Sequence, residues 1–287
     1  MIYLILSIIS STSLFVIFKF SDKYKLDNFN IIIINYIIAA AMGFALSDAV
    51  LPPKEIIRES WMPLAVIIGI IFIINFHIIA LSSQQAGISV TSVASKMSVV
   101  IPILFSILYY TESVSTLKIT GISIAIISVV CAIYKKPKSG AAKRAFLLPL
   151  ILFFAMGLVE SLVKYAQADY VKDQETPMFT AILFSIAGIS GLLFSFFRIK
   201  KFIKILNIKT LIWGILLGIG NFGSIYFFIM ALNHAGLDSS IVFGINNIGI
   251  VSLSVLTGLI IFREKLTTLN WIGILLSVIS IFLLTQV

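Results

Sequence analysis

Apolar runs of about 20 residues follow one another along nearly the whole of this chain, parted only by short polar stretches. As a helix, a run of that length rises about 30 Å, the thickness of a bilayer's hydrocarbon core. Inside that core no water can bond a backbone amide or carbonyl. A crossing segment must therefore be a helix or part of a closed barrel. Barrel strands need about 10 residues with alternating polarity, and the runs here are far longer and do not alternate. The chain is expected to be an all-α integral membrane protein. Composition agrees: 60% of the 287 residues are hydrophobic and 11% charged, against about 25% charged in a soluble domain.

Read against their breakers, the runs give ten spans, near 2–20, 29–47, 62–81, 87–109, 115–134, 146–168, 177–197, 209–231, 237–262 and 268–286. The breaks carry turn and charge signals such as SDKYKLDN, KKPKSGAAKR, RIKKFIKILN and FREKL. Fourteen Lys and Arg lie in connections after odd-numbered spans, four (Lys54, Arg58, Lys118 and Lys172) in connections after even-numbered spans, and three (Lys19, Lys96 and Lys164) within spans. The positive-inside rule then puts the odd connections in the cytoplasm of a bacterial-type inner membrane and both termini outside. This placement accounts for the net charge of +9 without nucleic acid, since no basic face with interleaved aromatics is present. Cys131, the single cysteine, has no disulfide partner and reads as a small core filler. The first run has no basic start and no small-residue cleavage site, so span one is expected to begin at the first residue.

The chain also repeats. Residues 112–122 read ESVSTLKITGI and 264–274 read EKLTTLNWIGI, so Glu112, Thr116, Leu117 and Gly121 recur 152 positions later. Ala80-Leu81 and Ala86-Gly87 correspond to Ala231-Leu232 and Ala235-Gly236. The first span of each half ends alike, with FKF around Lys19 and VKY around Lys164. This divides the chain into two five-span halves, 1–136 and 146–287, joined by a basic linker, 137–145. Because five is odd, the second half must start from the opposite side of the membrane. Ten transmembrane helices as two inverted five-helix repeats are therefore expected, the layout from which many secondary transporters build two alternating conformations around a midplane site.

These residues resemble the EamA domain of the drug/metabolite transporter superfamily. The resemblance rests on Pro102 in span four, Glu112 at its end and Gly121 nine positions on, with Glu264 and Gly273 repeating the second part. It covers nearly the whole layout and implies a transporter whose cavity is lined by spans one, three, four, six, eight and nine. The chain departs from the family pattern at Ser254, where a proline often falls. Its charge-derived orientation also departs, since many members keep their termini in the cytoplasm.

Lys96 sits near the middle of span four, in SVASKMSVVIPILF. A central lysine costs about 2.5–3.5 kcal/mol on insertion scales, so it needs a partner or a watery cavity. Ser89, Ser92 and Lys96 share one helical face, and Thr91, Ser95, Ser98 and Pro102 the next. Lys96 is either one half of a structural ion pair or a ligand for a substrate anion. Glu160, on span six, is the acid at similar depth; Gly157, Ser161, Lys164 and Gln167 share its face. It is either the local partner of Lys164, one turn away, or the counter-charge of Lys96 and an ion-coupling group, since a desolvated carboxyl can carry a proton near neutral pH. Asn75 and His77 in span three, Asn221 in span eight, and Asn246 and Asn247 in span nine complete the polar set; several of these read equally as helix-bonding groups. The candidate substrate site is thus Lys96, Ser92, Asn75, His77, Glu160, Lys164, Asn221, Asn246 and Asn247. Lys19 reads as a snorkelling end residue, and Glu112 and Glu264 as caps or orientation markers at helix ends in water.

No HExxH, P-loop lysine motif, GxSxG or Cys/His cluster occurs, so no catalysis, metal or cofactor is expected. The polar residues are spread over five spans, which suits a pathway better than a reaction centre. The expected function is secondary active transport of a small metabolite, by a monomer or homodimer, with a proton as coupling ion. Three lysines against one glutamate make the interior net positive and favour an anionic or zwitterionic cargo, an amino acid or similar. Two rivals are a membrane-embedded enzyme acting on a lipid or small molecule, with Glu160 or His77 as base, and a Schiff-base pigment on Lys96. An inverted repeat has no evident use in either.

The orientation can be checked directly. With Cys131 replaced by serine, a cysteine placed at Ser139 should resist an impermeant maleimide on intact cells and react once the cells are permeabilised. Labelling on intact cells would reverse the assignment.

Overall fold

A computed structural model of the chain describes residues 1–46, 52–134, 140–172, 175–195, 197, 203–234, 236–237 and 239–286. Among these, every regular element is helical. The long helices are α1 (Ile2–Lys23), α2 (Asn28–Ala45), α3 (Met62–Gln85), α4 (Ile88–Tyr109), α5 (Thr116–Ile133), α6 (Gly140–Asp169), α7 (Thr176–Ser195), α8 (Ile208–His234), α9 (Ser239–Ile260) and α10 (Thr268–Leu284). Nine of them hold an apolar stretch long enough to cross a membrane, and α10 is apolar and 17 residues long. The connections 135–139 and 198–202, which carry much of the basic charge, lie outside the described residues, as does Ala235 of the repeat.

Helices begin where the chain supplies an end group. The Asp27 carboxylate accepts from Phe29 N–H at 3.0 Å at the start of α2, and Ser115 Oγ accepts from Lys118 N–H at 3.1 Å at the start of α5. Thr267 and Asn270 form a reciprocal capping box on α10. Several helices run beyond their expected hydropathy limits: α3 continues through Ser82-Ser83-Gln84-Gln85, and α6 starts at Gly140. Hydropathy marks where side chains turn polar, whereas a helix ends where the backbone changes course. After α3 that place is Gly87, whose φ of +107° is open to glycine and strained for other residues.

The fourth span is one helix, as expected, and its hydrogen-bond ladder tightens locally at Ser98 and Val99, whose backbones stay right-handed helical. Ser98 and Val99 form a turn between Ile88–Met97 and Val100–Tyr109. Pro102 accounts for it: the residue has no N–H for the Ser98 carbonyl, and its ring crowds that oxygen. Ser98 O is met instead by Ile101 N–H at 2.9 Å, the tighter three-residue bond.

The chain packs as two compact bodies, one of residues 1–20, 78–158 and 223–287, the other of 21–77 and 159–222. In the first, α5 and α10 lie antiparallel with their backbones nearly touching. A Cβ on Gly121 would stand 2.7 Å from Leu284 Cδ2, and one on Gly273 would stand 2.7 Å from Ala132 Cα. Gly273 follows Gly121 by 152 positions, and Leu284 follows Ala132 by the same number. The second contact is therefore the first with the partners exchanged. Ser280 Oγ donates to Gly121 O at 2.8 Å and Asn270 Nδ2 to Ala132 O at 2.7 Å, tying both ends of the seam. Antiparallel helices that exchange contacts in this way are related locally by a dyad perpendicular to both.

The second body repeats the device with α2 and α7. A Cβ on Gly43 would stand 3.0 Å from Ala181 Cβ, and one on Gly191 2.8 Å from Ile33 Cγ1. Positions 43 and 191, and 33 and 181, are each 148 apart, so here too the partners are exchanged. Lipid gives no hydrophobic drive between helices, and close approach over small residues is what holds them together. Around these seams the first body buries Val93, Met97, Val129 and Val255. The second buries Trp61 edge-on to Phe179 at 5.5 Å, and Tyr36, whose hydroxyl donates to Phe72 O at 2.9 Å.

Gly273→Ala should cost about 1–3 kcal/mol, the scale of overpacking, because its neighbours are backbone atoms. Gly121→Ala should cost less, since the end of Leu284 can turn away and alanine gains about 0.5–1 kcal/mol over glycine in a helix. Melting of both variants in one detergent checks this; equal losses would contradict it.

Candidate functional site

The Ile88–Met97 segment of α4 is buried from Ile88 through Ser95, although Ser89, Thr91, Ser92 and Ser95 are polar. Most of these hydroxyls are absorbed locally: Thr91 Oγ1 donates to Gly87 O at 2.7 Å, and Ser92 Oγ to Ser89 O at 3.0 Å. Lys96 is half-buried in the last regular turn before Ser98 and Val99, whose backbones stay in the right-handed helical region. On α9, which packs against α4, Asn246, Asn247 and Ser254 are buried. Among the described residues of this body, the buried atoms Thr12 Oγ1, Ser83 Oγ, Asn246 Oδ1 and Ser254 Oγ have no hydrogen-bond partner from the protein. A buried polar atom left so costs about 1–3 kcal/mol, so packing alone does not explain them.

The other sequence-selected residues belong to the second body. Asn75 on α3 and Asn221 on α8 are buried; His77 on α3 and Glu160 and Lys164 on α6 are half-buried. Asn221 meets a residue that hydropathy alone passed over. Its amide lies 3.2 Å from that of Asn35 on α2, which is fully buried and, in the orientation that suits its neighbours, donates to Leu217 O at 3.2 Å. Gly214 and Gly218 let α8 close on Ile34 and Ile38 of α2 beside this pair. Asn221 thus serves a helix contact. The available signal for Asn35 was an asparagine inside the apolar run IIIINYII. The fold groups Ser92, Lys96, Asn246 and Asn247 in one body and Asn75, His77, Glu160, Lys164 and Asn221 in the other.

A cavity of about 220 Å³ in the first body is lined by none of these nine residues. Its polar wall is Lys19, Gln85, Glu264, Lys265 and Asn270, with Gly87 beside them. Lys19 does more than snorkel: its Nζ donates to Ser83 O and Gln84 O, each at 3.0 Å, and Gln84 Nε2 returns a bond to Phe18 O at 2.9 Å. An ammonium on the last carbonyls of α3 is where the helix dipole favours a cation. Glu264 is also engaged. Its Oε1 accepts from Ile88 N–H at 2.6 Å, and its Oε2 from Ser89 N–H at 3.2 Å and Ser89 Oγ at 2.7 Å. It caps α4 from the far end of the chain. The clue in the sequence was Gly87, which cannot cap the helix it precedes. Glu112 is exposed and bonded to Lys118 Nζ at 3.3 Å. Among the described residues no three His, Cys, Asp or Glu gather as metal ligands.

Lys19→Met should destabilise the fold by about 1.5–3 kcal/mol, the worth of hydrogen bonds to a charged group, and Lys19→Arg should recover most of it. Detergent melting of the two variants is the check; a methionine variant as stable as the parent would show that the bonds at the end of α3 contribute nothing.

Comparison with known proteins agrees with this architecture. The model of the EamA-like transporter family matches residues 143–286. An uncharacterized protein of Haemophilus influenzae is 29% identical over 288 residues, covering 98% of this chain and 96% of that protein. A protein known from its crystal structure shares the fold with a TM-score of 0.59 at 14% identity, over 99% of this chain and 96% of the other. The matched family region is half of the sequence, and the chain belongs to the EamA-like transporter family, within the drug/metabolite transporter superfamily.

Proposed function

We propose that this protein is a secondary active transporter that moves a small anionic or zwitterionic metabolite by alternating access between two inverted five-helix repeats, 1–136 and 146–287. The observation that carries this reading is the exchange of partners along α5 and α10: Gly121 on Leu284, and Gly273 on Ala132. Alternating access in such proteins uses two like halves related by an axis in the membrane plane. A dyad perpendicular to two membrane-crossing helices is such an axis. The α2–α7 seam supports the same reading independently.

Lys96 is the cargo ligand in this account. It is half-buried on α4 just before the turn at Ser98 and Val99, and an ammonium there favours an anion. Ser92, Asn246 and Asn247 supply polar groups in the same body; Asn75, His77 and Lys164 are further proposed cargo groups, and Glu160 is the proposed ion-coupling residue, a proton being the ion. A quaternary cation would meet repulsion from Lys96 and find no acid in this part of α4. The Lys and Arg distribution supports termini outside and odd connections in the cytoplasm. Membership of a transporter family weighs against the embedded-enzyme reading.

Ligand-induced melting shifts in detergent test the assignment, with a panel of carboxylates, phosphate esters, amino acids and quaternary amines. A ligand at 100 times its Kd stabilises by about 2.7 kcal/mol. A shift from an anionic or zwitterionic compound is expected, and it should be lost in Lys96→Met with at least a tenfold fall in affinity. Stabilisation by quaternary amines alone, or equal binding by Lys96→Met, would overturn the role of Lys96.

A further inference from the structure

Glu264 reaches from the connection between α9 and α10 to the first turn of α4, 176 residues from Ile88. The helix has no cap of its own there, because its N-cap residue is Gly87. The slot that receives the carboxylate is walled by two glycines. A Cβ on Gly87 would lie 2.8 Å from Glu264 Oε1, and one on Gly258, near the end of α9, would lie 2.6 Å from Oε2. A larger residue at either position would require the carboxylate to shift. The repeat offers a comparison inside the same body. Gly236 precedes α9 as Gly87 precedes α4, and Glu112 is the counterpart of Glu264. No described atom lies within 4 Å of a Cβ built on Gly236, and Glu112 Oε2 is held by Lys118 Nζ at 3.3 Å. Glu112 is thus bonded to a residue of its own neighbourhood, whereas Glu264 bonds across 176 residues.

We propose that Glu264 is the gate latch at the end of the first body that carries the odd-numbered connections. Its bonds to Ile88 and Ser89 hold the start of α4 against the end of α9 in the state seen here, and their release opens that end. The inference rests on the alternating-access reading above, and it assigns to Glu264 a step that reading left without a residue. Bonds from two amides and a hydroxyl to a carboxylate are strong ones. They are also reversible here. Glu264 is half-buried and borders a cavity that it shares with Lys19 and Lys265, so a released carboxylate finds cations beside it. The α5–α10 seam, closed by backbone contact, has no such exit.

The test uses full-length protein in proteoliposomes with Cys131→Ser as background and N-ethylmaleimide as probe. Val90→Cys reports the latched end, since Val90 is 7% exposed and lines the cavity. Leu237→Cys reports the other end, where Leu237 is 40% exposed. Glu264→Gln places an amide nitrogen where an oxygen accepted, so it breaks the latch with little change of shape. It should raise labelling of Val90→Cys at least tenfold and slow labelling of Leu237→Cys at least twofold. Glu112→Gln should leave Val90→Cys within twofold of the parent. Should Glu264→Gln fail to give a monodisperse protein, Ser89→Ala removes one of the three bonds and should move both reporters in the same directions by two- to threefold. Unmoved reporters, or a rise at Val90→Cys with no slowing at Leu237→Cys, overturn the latch, the second outcome being mere loosening. If the parent protein shows no saturable transport of any panel compound, the transporter reading itself falls.

Discussion

The contact of Gly273 with the backbone of Ala132 is the constraint on which the rest of the first body depends. In lipid, helices gain nothing from hiding apolar surface from each other, so adhesion must come from atoms brought close and from a few interhelical hydrogen bonds. The α5–α10 seam uses both: glycines at each end let the backbones close, and Ser280 and Asn270 bond across. The exchange of partners at a 152-residue offset means that one local solution serves twice. The same economy in α2 and α7 leaves two rigid antiparallel pairs. The helices with polar interiors, α4 and α9 among them, are the ones left to carry function.

Within α4 the physics runs against stability. A lysine at membrane depth is costly, and a proline six residues on breaks the ladder of bonds at Ser98 and Val99. Each feature alone would be a fault. Together they leave a cation beside a locally tightened turn, with buried serines already bonded to their own backbone and therefore cheap to keep in the interior. Unpartnered buried atoms on α1, α3 and α9 add to the polar character of the same body. A chain selected only to pack would have little reason to hold this set.

Much of this was legible in the sequence, for identifiable reasons. Apolar runs broken by charge mark helices in a membrane because no other backbone arrangement survives there, and every long helix falls within a few residues of a run. The repeat was legible because Glu112 and Glu264, and Gly121 and Gly273, are chemically unlike their apolar surroundings. Pairing between distant segments was not legible. Nothing in FREKL says that Glu264 will cap a helix 176 residues earlier, and nothing in the first span says that Lys19 will hold the carbonyls of Ser83 and Gln84. Asn35 was hidden by the strength of the apolar run around it. The tightened turn of α4 was written in Pro102, whose consequence for Ser98 follows from the missing N–H. Side-chain chemistry is read along the chain, but the partner is chosen by the fold.

In the proposed reading this molecule carries an anionic or zwitterionic metabolite through a site on α4. Counterflow in proteoliposomes measures it most directly: vesicles loaded with an unlabelled metabolite are diluted into trace label, and transient accumulation is followed. The account predicts saturable accumulation of at least one carboxylate, phosphate ester or amino acid, and none through Lys96→Met. Counterflow of cations alone, or the same accumulation through Lys96→Met, would contradict it.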